Sequence, residues 1–342
     1  MHIKTLGIDL AKKSFQLHGI DERGKVVLRK KIDRKALAIF IANLPSCLIL
    51  MESCATSHYW GRKFRGMGHQ VKLIAAQFVK PFVKSQKNDR NDAEAIVECG
   101  LRPSMRFVSV KEVWQQDIQV LHRARRRAVN ARTAIINQVK GLLLEYGVMI
   151  EEKNTKFRLA TLEAIEDAEN DLSLAMRTVI KSNLDEYDFI VQQITLLEKE
   201  IKQVADSSAD VNRLLAVPGV GVLGATAFVA SIGDASLFKN GRHVGGFLGL
   251  VPKQNSTGGK TRLLSITKRG DPELRAILIH GARATLLAMR NRKKPTADPL
   301  TKWALNLLEK KGWGKASVAL ANKMARIMWH LLAHKEEYRA VV

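Results

Sequence analysis

The chain is short of acid. Its 342 residues hold 33 Asp and Glu against 56 Lys and Arg, a formal charge of +23. That imbalance is a poor match to a metabolic kinase and points to nucleic acid or an anionic surface. Cysteine is scarce as well. Cys47, Cys54 and Cys99 form neither a zinc-ligand spacing nor a disulfide framework, so a reducing, intracellular compartment is expected. No apolar run approaches the roughly 20 residues that a membrane span needs, which predicts no membrane partner. The N-terminus reads straight into a strand without a signal peptide. A cytoplasmic protein, nucleoid-associated when bound to DNA, is the expectation. Histidine offers little: His330 and His334 stand at i and i+4, but no Glu lies between them as a metalloprotease requires. His58 and His122 read as packing or surface residues.

What the chain has is apolar bulk, 46% of its residues, enough for real cores in more than one domain. A ribosome-bound or histone-like protein would be shorter and less apolar. The charge is unevenly spread. Residues 1–110 carry 20 basic and 9 acidic side chains, residues 111–205 carry 14 and 15, and residues 206–342 carry 22 and 9. Two basic lobes joined by a neutral piece suit one long polyanion held at two places.

The first lobe, 1–110, reads as α/β. Strands are predicted over 2–10, 14–20 and 25–32, the last two joined by Asp21-Glu22-Arg23-Gly24. Asp33 caps a helix with apolar positions Leu37, Phe40, Ile41 and Leu44. A strand over 47–52, a helix over 57–67, a strand over 71–74 and a helix from about 89 follow, a pattern that implies a mixed sheet. The connector, 111–205, is almost free of Gly and Pro. One long helix is predicted from Trp114 to Tyr146, carrying Arg123, Arg125, Arg126, Arg127 and Arg132, and a second over 158–182. Then Tyr187, Ile190, Ile194, Leu197, Ile201 and Val204 fall on a heptad seam. The seam serves either an intramolecular helical hairpin or a dimerising coiled coil. The last lobe, 206–342, reads as mainly helical with Gly-rich joints, an exposed basic loop over 290–295 and a closing helix over 313–334.

Three constellations carry chemistry. Asp9 ends the apolar run Thr5-Leu6-Gly7-Ile8, and Glu52 ends Leu48-Ile49-Leu50-Met51. A carboxylate at the end of a buried strand is costly without a partner. Asp89 and Asp92 share one helix face three residues apart, where like charges repel unless a cation lies between them. Asp89 as a helix cap and Asp92 as a first-turn acid would explain those two alone, but neither Asp9 nor Glu52. Together the four acids suit one or two hard divalent cations, Mg²⁺ or Mn²⁺, acting on a phosphodiester. A strand, an acid, a turn with Lys12 and Lys13, and a second strand resembles the opening of the ribonuclease-H-like fold, within it the RuvC-type junction resolvases.

The second constellation is Pro218-Gly219-Val220-Gly221 between two apolar helices. It looks like a helix-hairpin-helix, whose glycines let backbone amides approach a phosphate, or else a plain helix–helix turn. The third is Ser256-Thr257-Gly258-Gly259-Lys260-Thr261-Arg262, followed by Lys268 and Arg269. A hydroxyl flanked by these cations is a nucleophile, a passive phosphate clamp or a simple turn.

Gly7-Ile8-Asp9, Met51-Glu52-Ser53, Asn88-Asp89-Arg90-Asn91-Asp92-Ala93, Pro218-Gly219-Val220-Gly221 and Ser256-Thr257-Gly258-Gly259-Lys260 occur in one order. That order resembles the DEDD transposases of bacterial insertion sequences, family one-ten, relatives of the Piv DNA invertase. The wording around Lys80-Pro81-Phe82-Val83-Lys84 and Arg102-Pro103-Ser104-Met105-Arg106-Phe107 resembles its eleven-eleven group. The resemblance covers essentially the full length. It implies a RuvC-like domain, a helical connector and a C-terminal transposase domain. It places Asp9, Glu52, Asp89 and Asp92 on a metal-binding tetrad and Ser256 on a serine nucleophile, with Thr257 the neighbouring hydroxyl. It also implies donor and target DNA, a guide RNA made from the element itself, and a homo-oligomer, dimer or tetramer. Lys12, Lys13, Arg123, Arg126, Gly219, Gly221, Lys260, Arg262, Lys268 and Arg269 are the expected nucleic-acid contacts. The rival reading is a metal-dependent junction nuclease that needs no serine.

Overall fold

The computed structural model describes residues 2–83, 89–151, 156–292 and 298–339; the side chains of residues 89 and 90 also fall outside that description. Two compact units emerge, one of residues 1–116 with 232–239, the other of residues 117–231 with 240–342.

The first unit is built on a six-stranded sheet in the order β3-β2-β1-β4-β5-β6. Its strands are β1 (Thr5–Asp9), β2 (Ser14–Ile20), β3 (Val26–Asp33), β4 (Leu48–Glu52), β5 (Gln70–Ile74) and β6 (Phe107–Val108). β1, β2 and β3 run antiparallel, β1, β4 and β5 run parallel, and β6 returns antiparallel to β5. The apolar runs alternate between faces, as strand geometry requires. Leu6, Ile8, Ile49, Met51, Val71 and Leu73 point to one face, where α1 (Arg34–Ala42) and α2 (Ser57–Gly66) bury Leu37, Ile41, Trp60 and Phe64. Leu50 and Ile74 point to the other, against Val79 of α3 (Ala76–Val79) and Ala95, Ile96 and Cys99 of α4 (Asp89–Gly100). Each of the buried Leu, Ile, Val, Met and Phe side chains contributes about 1.5–3 kcal/mol. The expected cap is present: Asp33 accepts a hydrogen bond from the Ala36 amide at 2.8 Å.

The second unit is mostly helical. It holds α5 (Val113–Leu144) from residue 117 onward, α6 (Phe157–Glu166), α7 (Leu174–Asp206), α8 (Ala209–Leu215), α9 (Val222–Ile232) up to residue 231, α10 (Gly241–Phe247), α11 (Pro272–Arg290) and α12 (Pro299–His334). Tyr187, Ile190 and Ile194 of the heptad seam are buried in one cluster with Ile135, Ile136, Val139 and Leu143 of α5. The first half of the seam is therefore occupied within the chain, which favours the hairpin over the coiled-coil alternative there. The helix expected over 158–182 is broken between α6 and α7. Ser173 caps α7 by accepting from the Met176 amide, and the Arg177 guanidinium donates to the carbonyls of Ile165, Asp167, Asn170 and Leu172. Those side-chain bonds satisfy the end of α6 and hold the intervening loop.

Between α10 and α11 the chain leaves the helices. β7 (Pro252–Gln254) and β8 (Leu263–Ile266) pair antiparallel into an arm exposed over most of its length. Gly258 and Gly259 both have positive φ, 55° and 77°, between the bridged pair Thr257 and Lys260. That is the geometry of a two-residue hairpin turn, which glycine adopts without strain. α12 is two helical segments, parted at Gly312, where φ is 74°. Among the described residues no helix is long and apolar enough to cross a membrane.

Candidate functional site

Asp9 and Glu52 come together at one end of the sheet. The β1–β4 register pairs Gly7 with Leu50 and Ile8 with Met51, so Asp9 and Glu52 are the next pair along. By the two-residue period they share the face of Gly7 and Leu50, the face covered by α4. Gly7 is what lets α4 lie so close. A Cβ there would stand 2.5 Å from Val97 Cγ2 and 2.6 Å from the Ala93 carbonyl oxygen. Further along, Glu94 pairs with Arg29 of β3 at 3.4 Å, and a Cβ on Gly100 would stand 2.4 Å from Leu50 Cδ1. The helix thus crosses the sheet, with half-buried Asp92 one residue before the Ala93 contact over β1. Asp89 opens the same helix, and its side chain lies outside the described residues.

Among the described residues no three acid, His or Cys side chains converge closely enough to hold a metal. The donor chemistry still fits a hard divalent cation. Two carboxylates from neighbouring strand ends face one way, and a third stands on the helix laid over that face. Their field reaches Cys54, whose thiol is pushed up to about 11 by burial first, then by Glu52 and Asp9. A cation would relieve such a concentration of negative charge.

Lys12 and Lys13 follow Asp9 in the β1–β2 turn and are exposed. Arg34 holds that turn: its Nε donates to the Lys12 carbonyl at 3.3 Å and its backbone amide to the Lys13 carbonyl at 3.2 Å. The Arg34 guanidinium also lies 5.5 Å from the Phe15 ring centroid and 5.7 Å from that of Trp60. Sequence reasoning named the lysines and missed the arginine that shapes their turn.

In the second unit, Ser256 sits on the exposed arm just before its tip. Gln254 Nε2 donates to Ser256 Oγ at 2.9 Å, and the Asn255 amide donates to the Arg262 carbonyl at 2.9 Å. Lys260 and Arg262 follow the tip, Lys268 and Arg269 stand at the base, and all four are exposed. The base is tight. A Cβ on Gly249 would lie 2.4 Å from the Arg269 amide nitrogen, and one on Gly270 would lie 2.2 Å from the Phe247 carbonyl oxygen. Buried Arg275 of α11 donates to the carbonyls of Leu248 at 3.1 Å and Arg269 at 2.6 Å, tying both stems together. A buried arginine two residues after Pro-Glu is a weak sequence signal, and this clamp was not anticipated.

The remaining expected contacts are differently placed. Gly219, with φ 80°, packs on α11, where a Cβ would stand 2.7 Å from the Gly281 carbonyl oxygen; at Gly221 a Cβ would meet open space. Of the two hairpin glycines, Gly221 is the one a phosphate can approach. Arg126 pairs with Glu273 of α11 at 3.5 Å. Burial raises the Glu273 carboxyl, and Arg126 opposes that rise. Arg123 lines a cavity of about 20 Å³, room for one water, with His122, Asp271 and Glu273. Of the basic loop expected over 290–295, Lys293, Lys294 and Pro295 lie outside the described residues, as does Lys84 of the earlier wording.

Residues 6–148 match the DEDD transposase family of IS110, and residues 211–297 match the transposase family described as IS116/IS110/IS902. A Pseudomonas aeruginosa protein named as a probable family 20 transposase is 44% identical over 340 residues, 99% of each chain. The transposase for insertion sequence element IS1111A of Coxiella burnetii is 43% identical over 98% of this chain and 92% of its own. The transposase for IS1328 of Yersinia enterocolitica is 38% identical over 96% of each. On full-length similarity of this kind, the chain belongs to the IS110 family of transposases, enzymes that cut and rejoin DNA.

Proposed function

We propose that this transposase has a ribonuclease-H-like, RuvC-type first domain (1–110), a helical connector (111–205) and a C-terminal domain (206–342), and that it cuts DNA with Ser256 as nucleophile. The observation that carries the serine is its setting. An exposed hydroxyl stands near the tip of a stiffly based hairpin, oriented by Gln254 and accompanied by Lys260 and Arg262. In the step proposed, Ser256 Oγ loses its proton and bonds to phosphorus. One bridging P–O bond breaks, and the freed strand end takes a proton as a hydroxyl. Attack by another strand's hydroxyl on the protein–DNA ester reverses these changes, so the bond reseals without external energy. Lys260 and Arg262 stabilise the charge that develops on the phosphorus oxygens.

Asp9, Glu52, Asp89 and Asp92 would hold Mg²⁺ or Mn²⁺, whose chemistry is to polarise the scissile phosphate. Lys12 and Lys13 then hold backbone beside that end of the sheet. The guide RNA and the homo-oligomer rest on the family resemblance. Sequencing the RNA that purifies with the protein, and its mass in solution, test them.

The central test is Ser256→Ala on a nicked suicide DNA substrate. The covalent adduct is expected to vanish, while Thr257→Ala keeps it. An undiminished adduct removes Ser256 from the role, and cleavage without any adduct favours the metal-dependent nuclease.

A further inference from the structure

We propose that the cavity at the edge of β5 is a pocket for one unpaired nucleotide. β6 pairs with β5 only at Leu73–Val108 and Ile74–Phe107. The first half of β5 is thus left beside a cavity of about 320 Å³ lined by Arg65, Lys72, Phe107, Ser109 and Leu237 among others. In the sheet register Gln70 aligns with Leu48 and Thr5, whereas Ile74 aligns with Glu52. The cavity therefore lies along the β5 edge, with His69 to Lys72 toward the far end of the sheet and Phe107 level with Glu52 two strands away. All of its lining residues belong to the first unit.

Its walls divide by chemistry. Val71, Phe107, Val108 and Leu237 supply its apolar lining, and Leu237 keeps 52% of its surface exposed. Two cations, Lys72 and Arg65, also line it. The Lys72 Nζ lies 4.6 Å from the centre of the Phe107 ring, and among the described residues Arg65 makes a 3.7 Å ion pair to Glu112 in which both partners are half exposed. Such a surface pair is weak, so the guanidinium can turn to a phosphate at little cost. His69 is a wall with both ring nitrogens engaged. Its Nδ1 accepts from the Cys47 amide at 3.3 Å, and its Nε2 donates to the Ile41 carbonyl at 3.1 Å. Ser109 adds one hydroxyl.

An aromatic lining with cations beside it recognises a flat apolar ring joined to an anion. In an enzyme that acts on DNA, that description fits a nucleobase on its phosphate. The volume lies at the lower end of the range for ligand pockets, roughly 300–1,000 Å³, enough for one nucleotide and too little for a base pair. The base takes the Phe107 face, and Lys72 swings from the ring to the phosphate. Either a DNA or an RNA strand can present such a nucleotide.

The test compares three probes on the full chain: a single-stranded DNA, the RNA of the same sequence, and the blunt DNA duplex. Phe107→Leu keeps the apolar packing and removes the ring. It is expected to weaken single-strand binding roughly 5- to 100-fold, as for one lost base stack, and to leave duplex binding within about twofold. Leu237→Glu, at a half-exposed position, is expected to weaken the same probes selectively. A 5-iodouracil strand should photo-crosslink to the peptide containing Phe107. An effect on DNA alone, RNA alone or both supports the pocket and identifies which strand uses it. Unchanged single-strand affinity in both variants, or an equal loss on duplex, overturns it.

Discussion

Gly7 of β1 and Ala93 of α4 meet with no room for a side chain between them: a Cβ on Gly7 would stand 2.6 Å from the Ala93 carbonyl oxygen. The contact joins the strand that ends in Asp9 to the helix that carries Asp92. Backbone cannot move aside as the end of a flexible side chain can, so the distance between two candidate metal ligands is set by an absent methyl group.

Gly7→Ala should therefore lift α4 from the sheet. Overpacking of this kind costs about 1–3 kcal/mol. Urea unfolding should show that loss, and DNA cleavage should fall by more than the change in folded fraction explains. Gly66→Ala, at the end of α2 where nothing lies within 4 Å, is the control and should keep cleavage and cost no stability. Equal behaviour of the two variants would remove the spacing role from Gly7.

Asp92→Asn and Asp9→Asn should each abolish cleavage at saturating DNA while keeping nucleic-acid affinity within about threefold, because neutralising an acid in a basic protein does not weaken phosphate contacts. Glu94→Gln, on the same helix but paired with Arg29, should retain cleavage. EDTA should silence the wild type, and Mg²⁺ or Mn²⁺ should restore it. Full cleavage by Asp92→Asn, or in EDTA, defeats the metal reading.

The clamp beneath the serine arm makes a third prediction. Arg275→Met removes the donor to the Leu248 and Arg269 carbonyls, and leaving such groups unsatisfied costs about 1–3 kcal/mol. Amide exchange over 249–270 should accelerate, and adduct formation should slow with little change in DNA affinity. Arg275→Lys keeps one donor and should recover part of both. Unaltered exchange in the arm of Arg275→Met would show that the stems hold themselves.

The sheet was legible because β1 and β4 are apolar runs closed by an acid, while Gly24 marks the turn into β3 and Asp33 the cap that ends it. The acids at two strand ends followed from those runs. Other features carry no local signal. β6 is two residues long and exists only because β5 offers an edge. The partner of the heptad seam is a tertiary choice between α5 and a second chain. The Ser256 arm has a turn signature in Gly258-Gly259, but its strands are exposed on both faces, so no alternating pattern announces them. The break between α6 and α7 depends on Arg177 reaching four carbonyls, a geometry that periodicity does not contain. Gly7 is a glycine in a strand until α4 is laid over it.

His122 gives a prediction in pH. It is buried at 5% exposure, its Nε2 donates to Thr226 Oγ1 at 2.9 Å, and Thr226 in turn donates to the Val222 carbonyl at 2.7 Å. Its Nδ1 has no hydrogen-bond partner among the described residues. Burial first, then Arg125, push the imidazole down from 6.5 to about 4, with Asp271 opposing. The native state therefore keeps this ring neutral in a range where the unfolded chain binds a proton. Stability from this group is fully present above about pH 6.5 and is lost as pH falls toward 4, by up to about 3 kcal/mol. His122→Gln retains an N–H for Thr226 and cannot titrate. Carboxylates titrate in the same window, so the informative quantity is the difference between wild type and variant in urea-unfolding free energy at each pH. That difference should shrink as pH falls from 6.5 to 4, with a slope of about one proton. A flat difference would mean that His122 titrates alike in the folded and unfolded chains.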